Sequence, residues 1–164
     1  MERAAPWVGK VWVFGDRPEW LSGDTAVVEH VQHEYMARFG RWRLPLRNTF
    51  LMTFVASLIP GLSDPFLWMA DDYVLLEPVG WGGQGTETPA DLGRVRVLED
   101  LRHVKRTSSL WKNSLWRTHD TLVRLGYGTL NFECHVPKPF TRKQLWEAYL
   151  DLQDLSARTV TSAC

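Results

Sequence analysis

Apolar and polar residues alternate from Val8 to Phe14 in a β-rich run that stops at Gly15-Asp16. That pattern predicts a strand ending in a loop that carries an acid. Pro18, Gly23 and Asp24 punctuate a turn region, and Ala26 to Val31 reads as a second short strand. Leu46 to Leu58 has helical periodicity and ends before the stop signal Pro60-Gly61. Pro65 to Met69 is a short continuous apolar run, as expected of a strand buried on both faces, with Asp71-Asp72 close behind it. Tyr73 to Val79 reads as extended chain. Residues 80–93 hold five Gly and one Pro and read as a mobile loop, either a lid over a site or a plain surface loop. Ser108 to Leu125 predicts a helix with Trp111, Leu115, Leu122 and Leu125 on its apolar face and Gly126 as its stop. Asn113, Arg117, Asp120 and Arg124 form a polar stripe on the same helix. Thr129 to Cys134 predicts a strand, and Thr141 caps a last helix running to about Leu155. Strands alternating with helices define an α/β class with one sheet.

The 164 residues suffice for one domain with a real core, and 45% apolar against 23% charged content is that of a soluble globular chain. Nine Trp is a high count; such rings are more often core, but they also stack on sugars and bases. The formal net charge is zero, which excludes a molecule that binds nucleic acid by its overall field. The charge is nevertheless uneven: eight Lys/Arg against three acids lie between Arg94 and Arg124. Arg38, Arg41, Arg43 and Arg47 form a second basic cluster, and the planar Arg fork suits phosphate. Cys134 and Cys164 show no pairing pattern, which implies a reducing compartment. The opening MERAAPWVGK lacks a signal-peptide layout, and no apolar stretch reaches the ~20 residues of a bilayer span. A cytoplasmic protein is expected.

Asp71-Asp72 is the strongest chemical feature. Acids directly after an apolar strand stand where open α/β sheets place their ligands. Successive side chains on extended backbone point to opposite sides, so one carboxylate can meet a divalent metal while the other bonds the loop or a substrate. Mg²⁺ or Mn²⁺ prefers such oxygens and leaves positions open for phosphate. The competing reading is a solvated turn. His135, between a strand and Pro137, is a candidate third metal ligand or acid/base, or a surface residue. His30, His33 and Glu34 lack the i, i+4 His spacing of a helical metal site and read as structural or solvated. No Walker loop, GxSxG elbow or CxxC is present in the sequence.

Three segments resemble the Stealth-type family of sugar-phosphate transferases, which make bacterial capsules and have eukaryotic lysosomal-targeting relatives. They are APWVGKVWVFGDRPEWL from Ala5, LPLRNTFLMTFVASLIPGLSDPFLWMADDYVLLEPV from Leu44, and HVPKPFTRKQLW from His135. The second aligns with the family's "LPTFNSHAIE…IPGLSe.FLY.NDD" without a gap from Leu44 to Asp72. The resemblance makes Asp72 the catalytic or metal-binding acid with Asp71 beside it, His135 the later His, and Asn48 the Asn of "FNS". The family's His falls at Phe50, its Glu at Thr53, and the Asn before its acid pair at Ala70. The chain also begins after the family's first segment.

The resemblance implies a single GT-A-like (Rossmann-like) α/β domain over residues 1–164 with a mostly parallel sheet, shortened at its N-terminus. It implies a metal-dependent sugar or sugar-phosphate transferase with a nucleotide-activated donor. Asp71, Asp72 and His135 would hold Mn²⁺ or Mg²⁺, with Asp72 and His135 catalytic. Arg47, Asn48 and Arg117 would contact the donor's phosphates or sugar, Arg117 from a stripe facing the cleft. The acceptor would be a polysaccharide or DNA, the latter as in phage-type transferases acting on modified bases. A homo-oligomer, or a non-catalytic binding module descended from the family, completes the expectations.

Overall fold

The computed structural model describes residues 5–23, 25–38, 40, 42, 44, 46, 48–75, 97–132 and 137–152. The Gly-rich segment 80–93, Arg47, His135 and both cysteines lie outside the described residues. So do the end of the extended stretch expected through Val79 and the end of the helix expected through Leu155.

The alternating run forms β1 (Val11–Phe14), which pairs in parallel with β2 (Val28–Val31), Val11 facing Val28 and Phe14 facing Val31. A short α1 (His33–Ala37) follows β2. The apolar stretch after Leu46 becomes α2 (Thr49–Ala56), where Leu51, Thr53, Phe54, Val55 and Ala56 are all buried. A helix apolar on nearly every side belongs in a core, and this one is its centre. Asn48 caps it, with Oδ1 accepting from the Leu51 N–H at 3.1 Å. Such a cap contributes about 1 kcal/mol.

The next strand, β3 (Phe66–Trp68), pairs antiparallel with β6 (Lys138–Phe140). Between them in sequence come β4 (Val97–Asp100), α3 (Leu110–Arg124) and β5 (Leu130–Phe132), with β4 and β5 antiparallel. The last helix is α4 (Arg142–Asp151), opened by a reciprocal capping box between Thr141 and Gln144. Helix α3 ends as its sequence dictates. Gly126 takes φ +77°, donates to the Val123 carbonyl at 3.1 Å, and lets Tyr127 donate to Leu122 at 2.8 Å. Only glycine enters that left-handed conformation without a steric penalty.

The α/β class holds, but the sheet differs from the expectation of one mostly parallel sheet. The described strands form three two-stranded sheets, of which only β1–β2 is parallel. The cause lies in the partners of β3: the strand before the acid pair bonds to a late, antiparallel segment and not to β1 or β2.

One apolar core joins β1, β2, α1, α2, β3, β6 and α4. Val31, Met36, Leu46, Phe54, Val55, Ile59, Phe66 and Leu145 are buried together, with Trp12, Phe14, Trp42 and Trp68 packed against them. Phe54 is its aromatic hub. Its ring stacks on Tyr149 at 4.0 Å between centroids and meets Trp42 edge-on at 6.2 Å and Trp146 at 5.9 Å. Aromatic pairs at such distances add to the burial of their area. Helix α4 is therefore held to α2 through its aromatic residues, which also fixes where β6 enters.

Candidate functional site

Asp71 and Asp72 lie beyond the end of β3, both exposed, in a tight turn closed by the Tyr73 N–H donating to the Ala70 carbonyl at 3.2 Å. The strand stops at Trp68, so the two acids are not on extended backbone. The alternation expected of a strand does not govern them. They sit at the two central positions of a turn, where Asp is favoured for its small polar side chain. Among the described residues neither carboxylate makes a hydrogen bond or ion pair, so their oxygens are available to a ligand. Such a pair fits a hard divalent cation as two of its oxygen ligands. No group of three or more His, Cys, Asp or Glu gathers among the described residues.

Two devices hold this turn in place. Below it, β3 is laddered to β6, Phe66 facing Phe140, Leu67 facing Pro139 and Trp68 facing Lys138. Before it, the segment leading into β3 is tied to the start of α4. The Arg142 guanidinium donates to the carbonyls of Leu62 and Ile59, and its backbone N–H donates to Asp64 Oδ1 at 3.1 Å. Both guanidinium bonds come from Nη2, which bridges the two carbonyls and restricts the segment more than a single bond would.

The other candidate residues are placed differently. Asn48 is buried with its carboxamide oxygen engaged as the α2 cap, which turns it away from solvent. Arg117 is exposed on α3, and no hydrogen bond or ion pair joins it to the acid pair among the described residues. Arg47 and His135 lie outside the described residues. Thr53, at the position of the family's Glu, is buried in α2 and donates its hydroxyl to the Thr49 carbonyl at 2.9 Å. A carboxylate there would need a charged partner that the surrounding core does not offer.

Sequence reading missed the setting of His33. This residue opens α1 directly after β2, beside the end of β1. Its ring packs on Phe14 at 4.6 Å, and its Nε2 is buried with no hydrogen-bond partner among the described residues. Gly15 has φ +121°, where any side chain is strained, and a Cβ there would come within 3.1 Å of that nitrogen. The neighbouring His30 instead places Nε2 2.8 Å from the Gly15 carbonyl. Burial holds the His33 pKa below the ordinary histidine range, against the fields of Glu34 and Asp16, which raise it.

The consequence is a pH dependence of definite sign. The fold favours the neutral ring, whereas the unfolded chain takes up a proton near pH ~6.5. His33 therefore contributes stability above that pH, and the contribution is lost as pH falls through it toward the folded-state value. The melting temperature is expected to drop between neutral and mildly acidic pH, and His33→Leu is expected to flatten the drop. An unchanged slope in the variant would show that His33 has no part in it.

Comparison with known proteins points one way. The chain is 28% identical over 167 residues to an exopolysaccharide phosphotransferase of Streptomyces coelicolor, covering 96% of this chain and 17% of that protein. It is 32% identical over 81 residues to a capsular polysaccharide phosphotransferase of Streptococcus thermophilus, covering 48% of this chain and 33% of the other. It is 26% identical over 157 residues to an exopolysaccharide phosphotransferase of Lactiplantibacillus plantarum, covering 85% and 46%. The likeness to polysaccharide phosphotransferases read from the three sequence segments is thus borne out. The chain spans less than half the length of each of these relatives. No protein-family model matches the chain, and no solved structure matches it. Among the described residues, no helix is long and apolar enough to cross a membrane.

Proposed function

We propose that the chain carries the transfer centre of a sugar-phosphate transferase, with Asp71, Asp72 and His135 as its reacting groups. One observation supports the grouping. In the β3–β6 ladder Trp68 faces Lys138, so the chain leaving β3 and the chain entering β6 do so at the same end. Two segments far apart in sequence, both matching the family's motifs, are brought to one end of one ladder. The relatives' names, each a polysaccharide phosphotransferase, support the reaction class.

In this reading the acceptor is a sugar hydroxyl and the donor a nucleoside diphosphate sugar. The hydroxyl oxygen forms a bond to the phosphorus next to the donor sugar. The bond from that phosphorus to the bridging oxygen breaks, and a nucleoside monophosphate leaves with the electron pair. His135 takes the hydroxyl proton. Asp71 and Asp72 would hold Mg²⁺ or Mn²⁺, which supplies charge neutralisation for the diphosphate. The exposed turn leaves room for phosphate oxygens beside the carboxylates. A GT-A-like single domain remains part of this proposal.

The products test it. UDP-, GDP- and dTDP-sugars would be offered with an oligosaccharide acceptor and either metal, and the released nucleotide identified. Nucleoside monophosphate together with a phosphodiester-linked product is the expected result. Release of nucleoside diphosphate would make the reaction plain glycosyl transfer. No turnover with any donor would leave a binding module in its place.

A further inference from the structure

Helix α3 presents a charged face that the transfer chemistry leaves unused. Lys112, Trp116, Asp120 and Arg124 recur every fourth residue, with Asn113 and Arg117 beside them. At about 3.6 residues per turn these positions share one side of the helix. Ser114, Leu115 and Thr121, on the other side, are buried, while Lys112, Arg117, Asp120 and Arg124 are exposed. The polar stripe read from the sequence therefore faces solvent.

The segment before the helix adds to the same side. The Thr107 N–H donates to Asn113 Oδ1 at 2.9 Å, and the Arg106 guanidinium lies 5.5 Å over the Trp116 ring. Lys105 is exposed beside them. From position 105 to position 124 the chain carries Lys105, Arg106, Lys112, Arg117 and Arg124 against the single acid Asp120, in a protein of zero net charge. The face is about 20 Å long, from the rise per residue of an α-helix.

On a helix face, opposite charges three or four residues apart stabilise the helix and like charges oppose it. Lys112 has no acid at either spacing on either side. Arg117 has Asp120 three residues on, yet no ion pair forms between them. Among the described residues Lys105, Lys112 and Arg117 have no ion-pair partner. Arg102, by contrast, is paired with Asp100 through its guanidinium.

We propose that this face binds an anionic glycan, a saccharide chain carrying phosphate groups, as the acceptor or product strand. The choice of a glycan rests on the sugar-phosphate reading above. The charge complementarity stands independently of it. Arg forks and Lys ammonium groups engage the phosphates, and the partly exposed Trp116 ring offers an apolar surface to a sugar face. Duplex DNA fits less well. It carries a charge every ~1.7 Å and is drawn by a strongly positive overall field, which a neutral molecule lacks.

Direct binding tests this without turnover, so it stands or falls separately from the transfer reaction. Phosphomannan, neutral mannan and a short DNA duplex would be titrated into the full chain at low and physiological salt. Phosphomannan is expected to bind, more weakly as salt rises, and neutral mannan is not. The double variant Lys112→Gln/Arg117→Gln is expected to weaken phosphomannan binding by about tenfold, the combined effect of two exposed charge contacts. Lys143→Gln, on exposed α4 near Glu147, is the control and should bind as wild type does. Circular dichroism would confirm that the variants fold. Equal binding of both mannans, an unchanged double variant, or tighter binding of DNA than of phosphomannan would each overturn the proposal.

Discussion

Asp72→Asn is expected to lower sugar-phosphate transfer by about 10³-fold while leaving the melting temperature within error of wild type. General acid–base groups and metal-held charge stabilisation each contribute in that range. The structural half of the expectation comes from the position of the residue. Asp72 is exposed in the turn after β3 and has no hydrogen bond or ion pair among the described residues. Its carboxylate supports nothing in the fold, so a loss of rate without a loss of stability isolates its chemistry. His135→Ala should reduce turnover comparably. Rate measurements with saturating donor and varied Mg²⁺ or Mn²⁺ would separate the roles: a loss reversed by more metal marks a ligand. Wild-type turnover in Asp72→Asn would end the assignment of the turn as a reaction centre.

Phe54→Ala is expected to have the largest effect on the fold, about 3–5 kcal/mol. Phe54 is 2% exposed and its ring meets Trp42 from before α2 and Trp146 and Tyr149 from α4. Removing it opens a cavity between α2 and α4 and ends a parallel aromatic stack. A domain of this size holds only about 5–15 kcal/mol in total, so most of the margin would go. Urea unfolding followed by tryptophan fluorescence measures this directly. Phe54→Leu, which keeps most of the volume, should lose much less. A loss below about 1 kcal/mol for Phe54→Ala would mean that the surrounding side chains collapse into the space.

Local signals in the sequence located most elements. The alternation at Val8–Phe14 marks β1, the apolar run after Leu46 marks α2, and Thr141 marks the start of α4. Gly126 marks the end of α3 because its conformation is set by one residue and its neighbours. Pairing was harder to read. Strand β6 contains Pro139, which lacks a ladder donor and argues against a strand when no partner is known. Its partner β3 lies far back in the chain, and nothing in either segment alone identifies the other. The acid pair was legible, but its backbone was not. Two acids directly beyond an apolar strand look like its continuation, and only the Tyr73–Ala70 hydrogen bond reveals a turn. Asn48 was read for its chemistry, whereas its spacing before a buried helix makes it a cap. The burial of His33 depends on how β1 and β2 align, which no local pattern encodes.

The antiparallel ladder between β3 and β6 also constrains how the protein is made. Phe66 and the acid pair leave the ribosome early, but their ladder partners Lys138–Phe140 and the anchoring Arg142 emerge later. Joining ends so far apart requires closing a long loop before the contacts repay it. A nascent chain halted before Lys138 would already contain both carboxylates without the strand and helix that hold them in place. The acid-bearing turn therefore gains its support late in synthesis, from pieces translated at different times, and early release would yield a chain with its acids present and their support missing.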